Sequence, residues 1–101
     1  MKVSSKLRRA ENGYVHWCPG CDGMHLVPDS WRFVNGDLER PTFTPSVKVQ
    51  WKDEKGRYCC HYHLQDGFIG FENDCTHSLR GKRVSLPDLP EECQSHPRQP
   101  Q

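Results

Sequence analysis

The segment 18–21 reads CPGC, two cysteines separated by the two residue types that bend a chain most sharply. Such a C-x-x-C turn directs two thiolates toward one point, as tetrahedral Zn²⁺ requires. His25, four residues after Cys21, can close the same loop from the other side. A redox role is disfavoured because no βαβ pattern surrounds the pair. Zinc takes four ligands, so the rest of the set has to come from a distant part of the chain. The candidates are Cys59, Cys60, Cys75 and His77.

Length and composition also favour a metal. A chain of 101 residues with 34% hydrophobic content forms one small domain whose apolar core is marginal without a staple. The first ten residues, MKVSSKLRRA, lack the apolar region of a signal peptide. We therefore expect a reducing cytoplasm, where six cysteines and six histidines favour metal over disulfides. The net charge of +1 and the lack of a long apolar segment predict neither a nucleic-acid partner nor a membrane partner.

The hydrophobic pattern predicts a mainly β fold, a small antiparallel sheet of hairpins stapled by the zinc knuckle. Residues 13–17 form a short strand, and the Asn35-Gly36 turn predicts a hairpin over residues 31–40 that pairs Phe33 with Leu38 and Arg32 with Glu39. Residues 47–51 and 58–64 form a second hairpin, which a third strand at 68–71 extends. We expect a flexible N-terminus (1–9), a zinc-stapled β domain (10–86) and a disordered, proline-rich tail (87–101).

The strand 58–64, YCCHYHL, carries two cysteines and two histidines whose roles follow from strand parity. Alternate side chains share a face, so Cys60 lies on the apolar face with the tyrosines. Cys59, His61 and His63 share the other face. Matching the apolar faces of 47–51 and 58–64 leaves two registers open, with Ser46 opposite either His61 or His63. In both registers a serine hydroxyl faces an imidazole, which is the core of a Ser–His nucleophile pair.

Two features concern the setting of this pair. Pro41 and Pro45 precede Ser46, so the serine stands at the entrance of a strand rather than within a regular ladder. Gly70, opposite His63, leaves space above that imidazole or marks a bulge. A different hydrolytic interpretation uses His61, His63 and His77 as three ligands of a water-activating zinc. Neither H-E-x-x-H nor the deaminase signature accompanies these histidines.

Four sequence blocks together resemble a small family of phage and bacterial proteins. The blocks are WCPGC with a following histidine, NGDLERPTFTPSV, CHY with a later DG.I.F, and DCTHSLRGK, and they extend from Trp17 to Leu89. Short members of this family are often labelled ammonia monooxygenases. Longer relatives accompany bacterial ubiquitin-like conjugation genes and are regarded as zinc-stabilised serine peptidases.

The resemblance implies roles for individual residues. It implies Ser46 as nucleophile and His61 as general base, with Asp74 or His77 orienting the imidazole. The ligands that it implies for a structural zinc are Cys18, Cys21, His25 and Cys60, and His77 or Cys75 remains an alternative to His25. Cys59 and His63 depart from the family pattern and are expected to be bystanders.

The leading hypothesis is a hydrolase of acyl bonds, a serine peptidase acting on peptide or isopeptide-like bonds. The expected partner is a protein or peptide substrate, such as a ubiquitin-like tail or a host protein. The expected location is the cytoplasm, that of the bacterial host if the chain is phage-encoded. The alternative is a non-catalytic phage zinc module that binds and modulates a host protein. That alternative predicts an exposed apolar patch and a Ser46 far from any histidine.

Overall fold

The computed structural model describes residues 1–90, which form two antiparallel sheets. The first sheet contains β1 (Arg8–Ala10), β2 (Gly13–Cys18) and β3 (Gly23–Pro28), in that order. The second contains β4 (Arg32–Phe33), β5 (Phe43–Asp53), β6 (Gly56–Gln65), β7 (Phe68–Phe71) and β8 (Arg83–Ser85), also in chain order. The prediction of a mainly β, antiparallel fold is confirmed. No membrane-spanning helix occurs in residues 1–90.

One apolar core joins the two sheets. Leu7, Cys18 and Val27 from the first sheet and its N-terminal extension pack in the same buried cluster as Cys60 and Tyr62 of β6. The alternation along β6 explains this arrangement, because Cys60, Tyr62 and Leu64 are buried while Cys59, His61 and His63 are not. The inward parity predicted for Cys60 is therefore observed.

The two hairpins around β6 have the predicted pairing. β5 and β6 align Trp51 with Tyr58 and Val49 with Cys60, which is the register that leaves Ser46 near His63 and diagonal to His61. β6 and β7 align Tyr62 with Phe71 and Leu64 with Ile69, so the strand at 68–71 extends the sheet as predicted. The apolar pairs across each turn exclude a one-residue slip, because such a slip would move every core side chain to the solvent face.

The predicted hairpin over residues 31–40 is wrong. β4 pairs with β5, aligning Arg32 with Thr44 and Phe33 with Phe43. The Asn35 side chain explains the difference, because its Oδ1 accepts the backbone N–H groups of Asp37 and Thr42 and its Nδ2 donates to Arg40 O. These bonds hold residues 35–42 as a loop.

Neither half of the residue pairing predicted for that hairpin is formed. Phe33 stacks on Phe43 with ring centroids 4.5 Å apart instead of facing Leu38. Glu39 accepts hydrogen bonds from Ser5 instead of pairing with Arg32.

Both ends of the described chain pack onto the domain. Leu7 is fully buried and β1 pairs with β2, whereas the sequence predicts a flexible segment up to residue 9. Leu89 packs with Met24, and its N–H donates to Ser5 O. The chain thus stays on the domain past the predicted boundary at residue 86. The rest of the predicted tail, residues 91–101, lies outside the described part of the chain.

A wide irregularity interrupts the pairing of β5 with β6. Phe43 pairs with Leu64 and Val47 with Tyr62, so three residues of β5 (44–46) lie against the single residue His63. The Thr44–Pro45 peptide in this segment is cis. Bulges of this kind redirect a side chain and are frequent beside active sites. The side chain that this bulge presents at its end is Ser46.

Candidate active site and metal centre

Ser46 lies at the end of the bulge, half-buried, with its hydroxyl directed at β6. Its Oγ is 3.0 Å from Nε2 of His61. The indole Nε1–H of Trp31 donates to the Ser46 carbonyl oxygen at 3.2 Å and fixes the backbone at this point. The structure thus brings the predicted serine and histidine within hydrogen-bonding distance.

His61 is held from its other ring nitrogen by Asp74. Nδ1 lies 3.1 and 3.2 Å from the two carboxylate oxygens. A carboxylate only accepts, so Nδ1 carries a proton, and in the neutral ring Nε2 then has a free lone pair for the Ser46 hydroxyl. Serine, histidine and aspartate are therefore connected in the order and tautomer of a catalytic triad.

The Asp74 carboxylate contacts one cation, Lys48, and one hydrogen-bond donor, the His61 ring. Lys48 Nζ lies 3.3 Å from Oδ2, while His61 contacts both oxygens. Desolvation raises the pKa of Asp74, but the hydrogen bonds and charges of Lys48 and His61 outweigh it, and the net pKa is lowered. An ionised carboxylate behind His61 can accept the hydrogen bond of Nδ1–H.

The segment that carries Asp74 is fastened to the backbone of β6. The N–H of Glu72 donates to His61 O at 2.8 Å, and the N–H of Thr76 donates to Cys59 O at 2.9 Å. The buried Cys75 thiol contacts both backbone groups of His61: it accepts from N and donates to O, each at 3.2 Å. These bonds fix Asp74 relative to the residue whose side chain it contacts.

A separate cluster of cysteines and histidines lies on the buried face of β6. The atoms of four residues lie within 4.8 Å of one another and could hold a metal ion. They are Cys18, Cys21, His25 and Cys60, the four ligands predicted from the sequence. Cys18 comes from the end of β2, His25 from β3 and Cys60 from β6. A metal here would join the two sheets.

The donor set fits a metal ion in distance and chemistry. Cys18 Sγ and Cys60 Sγ are 3.8 Å apart, close to the ~3.8 Å between sulfurs that a tetrahedral ion with ~2.3 Å bonds imposes. His25 Nε2 is buried and has no hydrogen-bond partner within the described residues. A buried polar atom without a partner is costly, and coordination would satisfy it.

The thiols also perturb one another. Hydrogen bonds donated by the Cys21 and Cys60 thiols hold the pKa of Cys18 well below its usual range. The same contact with Cys18 raises the pKa of Cys21 to about 12 and also raises that of Cys60. Protein groups alone therefore favour one thiolate in this cluster, and a divalent cation would be needed to ionise all three.

His77 lies on the metal side of β6 and not beside Ser46. Its Nε2 is 3.5 Å from Cys60 Sγ, and its Nδ1 accepts the N–H of Leu79 at 3.2 Å. Its ring packs directly on Gly20 of the C-x-x-C turn, where a Cβ would approach to 2.3 Å. Asp74 and His77 were the two predicted partners of His61. Asp74 is the one that contacts His61 Nδ1, whereas both ring nitrogens of His77 contact other groups.

The comparison with protein families gives one match. The model of a family described as bacterial ubiquitination-like system serine protease (BubE) matches residues 2–71. The chain belongs to this family. No curated protein and no solved structure matches significantly. The family assignment confirms the resemblance to serine peptidases of ubiquitin-like conjugation operons, and the matched range contains both Ser46 and His61.

A buried network beside the cysteines was not predicted. The His16 side chain is fully buried. The Tyr62 O–H donates to His16 Nε2 at 2.7 Å, and His16 Nδ1–H donates to Trp17 O at 3.1 Å. Desolvation lowers the pKa of His16 to about 4, so the ring is neutral. His25 stacks on Tyr62 with centroids 5.7 Å apart. The cross-strand pairing of His16 with His25 in the β2–β3 hairpin is the signal that could have revealed it.

His63 and Cys59, the two residues that the sequence predicts to be bystanders, lie outside both groups. His63 Nε2 contacts Glu72 Oε2 at 2.5 Å, and its ring centroid is 6.3 Å from that of His61. Cys59 is outside both sets of potential metal ligands in the described chain. A three-histidine metal site is not assembled, because His61 and His63 share the outer face of β6 while His77 contacts Cys60 on the other.

Proposed function

We propose that the protein is a zinc-stabilised serine hydrolase, a peptidase that cleaves peptide or isopeptide-like acyl bonds. The observation that carries the proposal is the continuous hydrogen-bonded line from Ser46 Oγ through the His61 ring to the Asp74 carboxylate. The family is described as serine proteases, and serine is the residue at the start of this line. The substrate is a protein or peptide, and the ubiquitination-like system in the family description points to a ubiquitin-like tail.

The chemistry follows from the tautomer of His61. Ser46 Oγ attacks the carbonyl carbon of the substrate while His61 Nε2 takes the hydroxyl proton. The tetrahedral intermediate collapses, the leaving amine or alcohol takes that proton from Nε2, and an acyl group remains on Ser46. A water molecule then gives a proton to Nε2 and its oxygen to the acyl carbon. The bond from the acyl carbon to Oγ breaks, Oγ takes the proton back from Nε2, and the carboxylic acid product leaves. Asp74 stays ionised throughout and balances the charge of the imidazolium ring.

Zinc is proposed as the metal of the buried cluster because three thiolates and one imidazole are the ligands that structural zinc prefers. Cys18, Cys21, His25 and Cys60 would hold it. With four protein ligands no coordination position stays open for a substrate. Its contribution would be structural, fixing β6 against the first sheet.

The non-catalytic alternative has less support. A binding module would need neither Ser46 near a histidine nor a charged carboxylate behind that histidine. The alternative also calls for an exposed apolar patch. Among residues 1–90, the exposed large hydrophobic side chains are Met1 and Val34, which do not form a sizeable patch.

Labelling with a fluorophosphonate probe tests the proposal. The wild type should be labelled and Ser46→Ala should not, with zinc content and thermal unfolding unchanged. Ser30→Ala, which alters an exposed serine in the turn after β3, is the matched control and should be labelled like the wild type. Labelling of Ser46→Ala at the wild-type rate would overturn the proposal. Hydrolysis that survives Ser46→Ala but is lost on metal removal from a folded protein would favour a metal-activated water.

A further inference from the structure

The outer face of three neighbouring strands, β6, β7 and β8, has a position without a side chain near the line of Ser46, His61 and Asp74. His63 of β6 pairs with Gly70 of β7, and Gly70 pairs with Arg83 of β8. Directly paired residues project from the same face of a sheet. The His63 and Arg83 side chains therefore lie on either side of Gly70, which has no side chain. Within residues 1–90, apart from Gly70 and its two chain neighbours, no heavy atom lies within 4 Å of the place where a Cβ on Gly70 would be.

A cavity of about 230 Å³ opens over this gap. It is lined by His63, Gln65, Phe68, Glu72, Lys82 and Arg83. The guanidinium of Arg83 packs over the Phe68 ring, 4.2 Å from its centroid. That contact holds the Arg83 charge at the edge of the cavity.

The cavity belongs to the catalytic face. His61 and His63 are two residues apart on β6 and share its outer face. The bulge places Ser46 in the segment of β5 that lies against His63. From β5 to β7 is two strand spacings, roughly 9–10 Å, which about three residues of an extended chain would span.

The charges that line the cavity favour an anion. Neither Lys82 nor Arg83 forms an ion pair with a carboxylate within residues 1–90. Glu72 is the opposing charge, but its Oε2 is engaged by His63 Nε2 at 2.5 Å. The two cations without carboxylate partners and the one paired carboxylate therefore give the cavity lining a net positive charge.

We propose that this cavity is a substrate subsite that binds a carboxylate-bearing side chain, or a chain-terminal carboxylate, two or three residues from the scissile bond. The inference rests on the proposed function, because it takes Ser46 as the point of cleavage. It adds a specificity that the triad alone does not provide. Lys82 and Arg83 would pair with the anion, and Gly70 would give it room.

The test measures how short peptides protect Ser46 from a small fluorophosphonate. The labelling rate is determined with and without acetylated, amidated hexaglutamate, hexaglutamine or hexalysine. A hexapeptide is long enough to extend from the cavity past Ser46, whichever of its residues lies in the cavity. In the wild type, hexaglutamate should slow labelling up to about fivefold more than hexaglutamine at the same concentration, as expected for one exposed ion pair. Hexaglutamine and hexalysine should have little effect.

Variants then locate the binding site. Gly70→Val suits a strand, its Cβ has open space, and its side chain would occupy part of the cavity. This variant should lose the protection, as should the pair Lys82→Gln and Arg83→Gln. Arg57→Gln, which removes an exposed cation at the far end of β6, should keep it. Absence of hexaglutamate protection in the wild type would overturn the inference, as would full protection in Gly70→Val or loss in Arg57→Gln. A wild type that the probe does not label at all would instead refute the proposed function.

Discussion

Cys60 and His61 are consecutive residues of β6, and their side chains point to opposite faces of the five-stranded sheet. Cys60 Sγ lies 3.8 Å from Cys18 Sγ on the buried face, and His61 Nε2 lies 3.0 Å from Ser46 Oγ on the outer face. One strand backbone thus connects the cluster of cysteines and His25 to the line of Ser46, His61 and Asp74. A metal bound to Cys60 would fix the backbone from which His61 projects.

The first prediction concerns the two adjacent cysteines of β6. Cys60→Ser should lose the bound metal and lower the unfolding temperature strongly, because ligands that assemble only on folding add the metal-binding free energy to stability. Cys59→Ser should change stability by no more than about 0.5 kcal/mol, as is usual for a site without a key contact. Elemental analysis and thermal unfolding provide the measurements, with one zinc per chain expected for wild type and Cys59→Ser. Equal damage from both variants would contradict the assignment of faces on β6.

The second prediction separates His25 from His77 as metal ligands. His25 is one of four residues whose ligand atoms all lie within 4.8 Å, whereas His77 groups with Cys60 and Cys75. His25→Ala should therefore weaken zinc binding by a large factor, and His77→Ala should weaken it much less. Competition with a chromogenic zinc chelator measures both affinities under the same conditions. The opposite order would assign the fourth position to His77.

Much of this arrangement could be predicted from local pattern. The alternation of buried and exposed residues along 58–64 separates Cys60 from His61, and the C-x-x-C spacing indicates the metal cluster. The choice between the two registers of β5 and β6 could not be made, because both match apolar with apolar residues. The bulge at 44–46 adds two residues to one strand, and no periodicity records such an insertion.

Other features depend on tertiary contacts alone. Whether Asp74 or His77 contacts His61 is decided by the backbone bonds of Thr76 to Cys59 and by the Cys75 thiol. Residues 72–82 have no repeating pattern from which those bonds could be inferred. The loop at 35–42 has the same origin, because its conformation depends on the Asn35 side chain and not on the turn propensity of Asn35-Gly36.

The third prediction concerns Asp74. Asp74→Asn keeps the size of the side chain but removes its charge and allows the amide to donate to Nδ1, which favours the wrong tautomer of His61. The labelling rate of Ser46 by a fluorophosphonate should fall by a factor of about 10³–10⁴, while the fold and zinc content stay unchanged. Asp53→Asn, at the last residue of β5 and away from the triad, is a control that should keep the wild-type rate. A wild-type labelling rate in Asp74→Asn would show that Asp74 has no part in activating Ser46.

The last prediction assigns a positioning role to Cys75. Its buried thiol accepts from His61 N and donates to His61 O, and the next residue toward the N-terminus is Asp74. Cys75→Ala leaves both backbone groups without this partner and frees the segment that carries Asp74, so the labelling rate of Ser46 should drop about tenfold to a hundredfold. Cys75→Ser supplies a hydroxyl that can donate and accept in the same place, and should recover most of the rate. Zinc content, measured in parallel, should stay at the wild-type value in both variants. A purely structural thiol would give equal rates after correction for the folded fraction, and loss of zinc in both variants would identify Cys75 as a ligand.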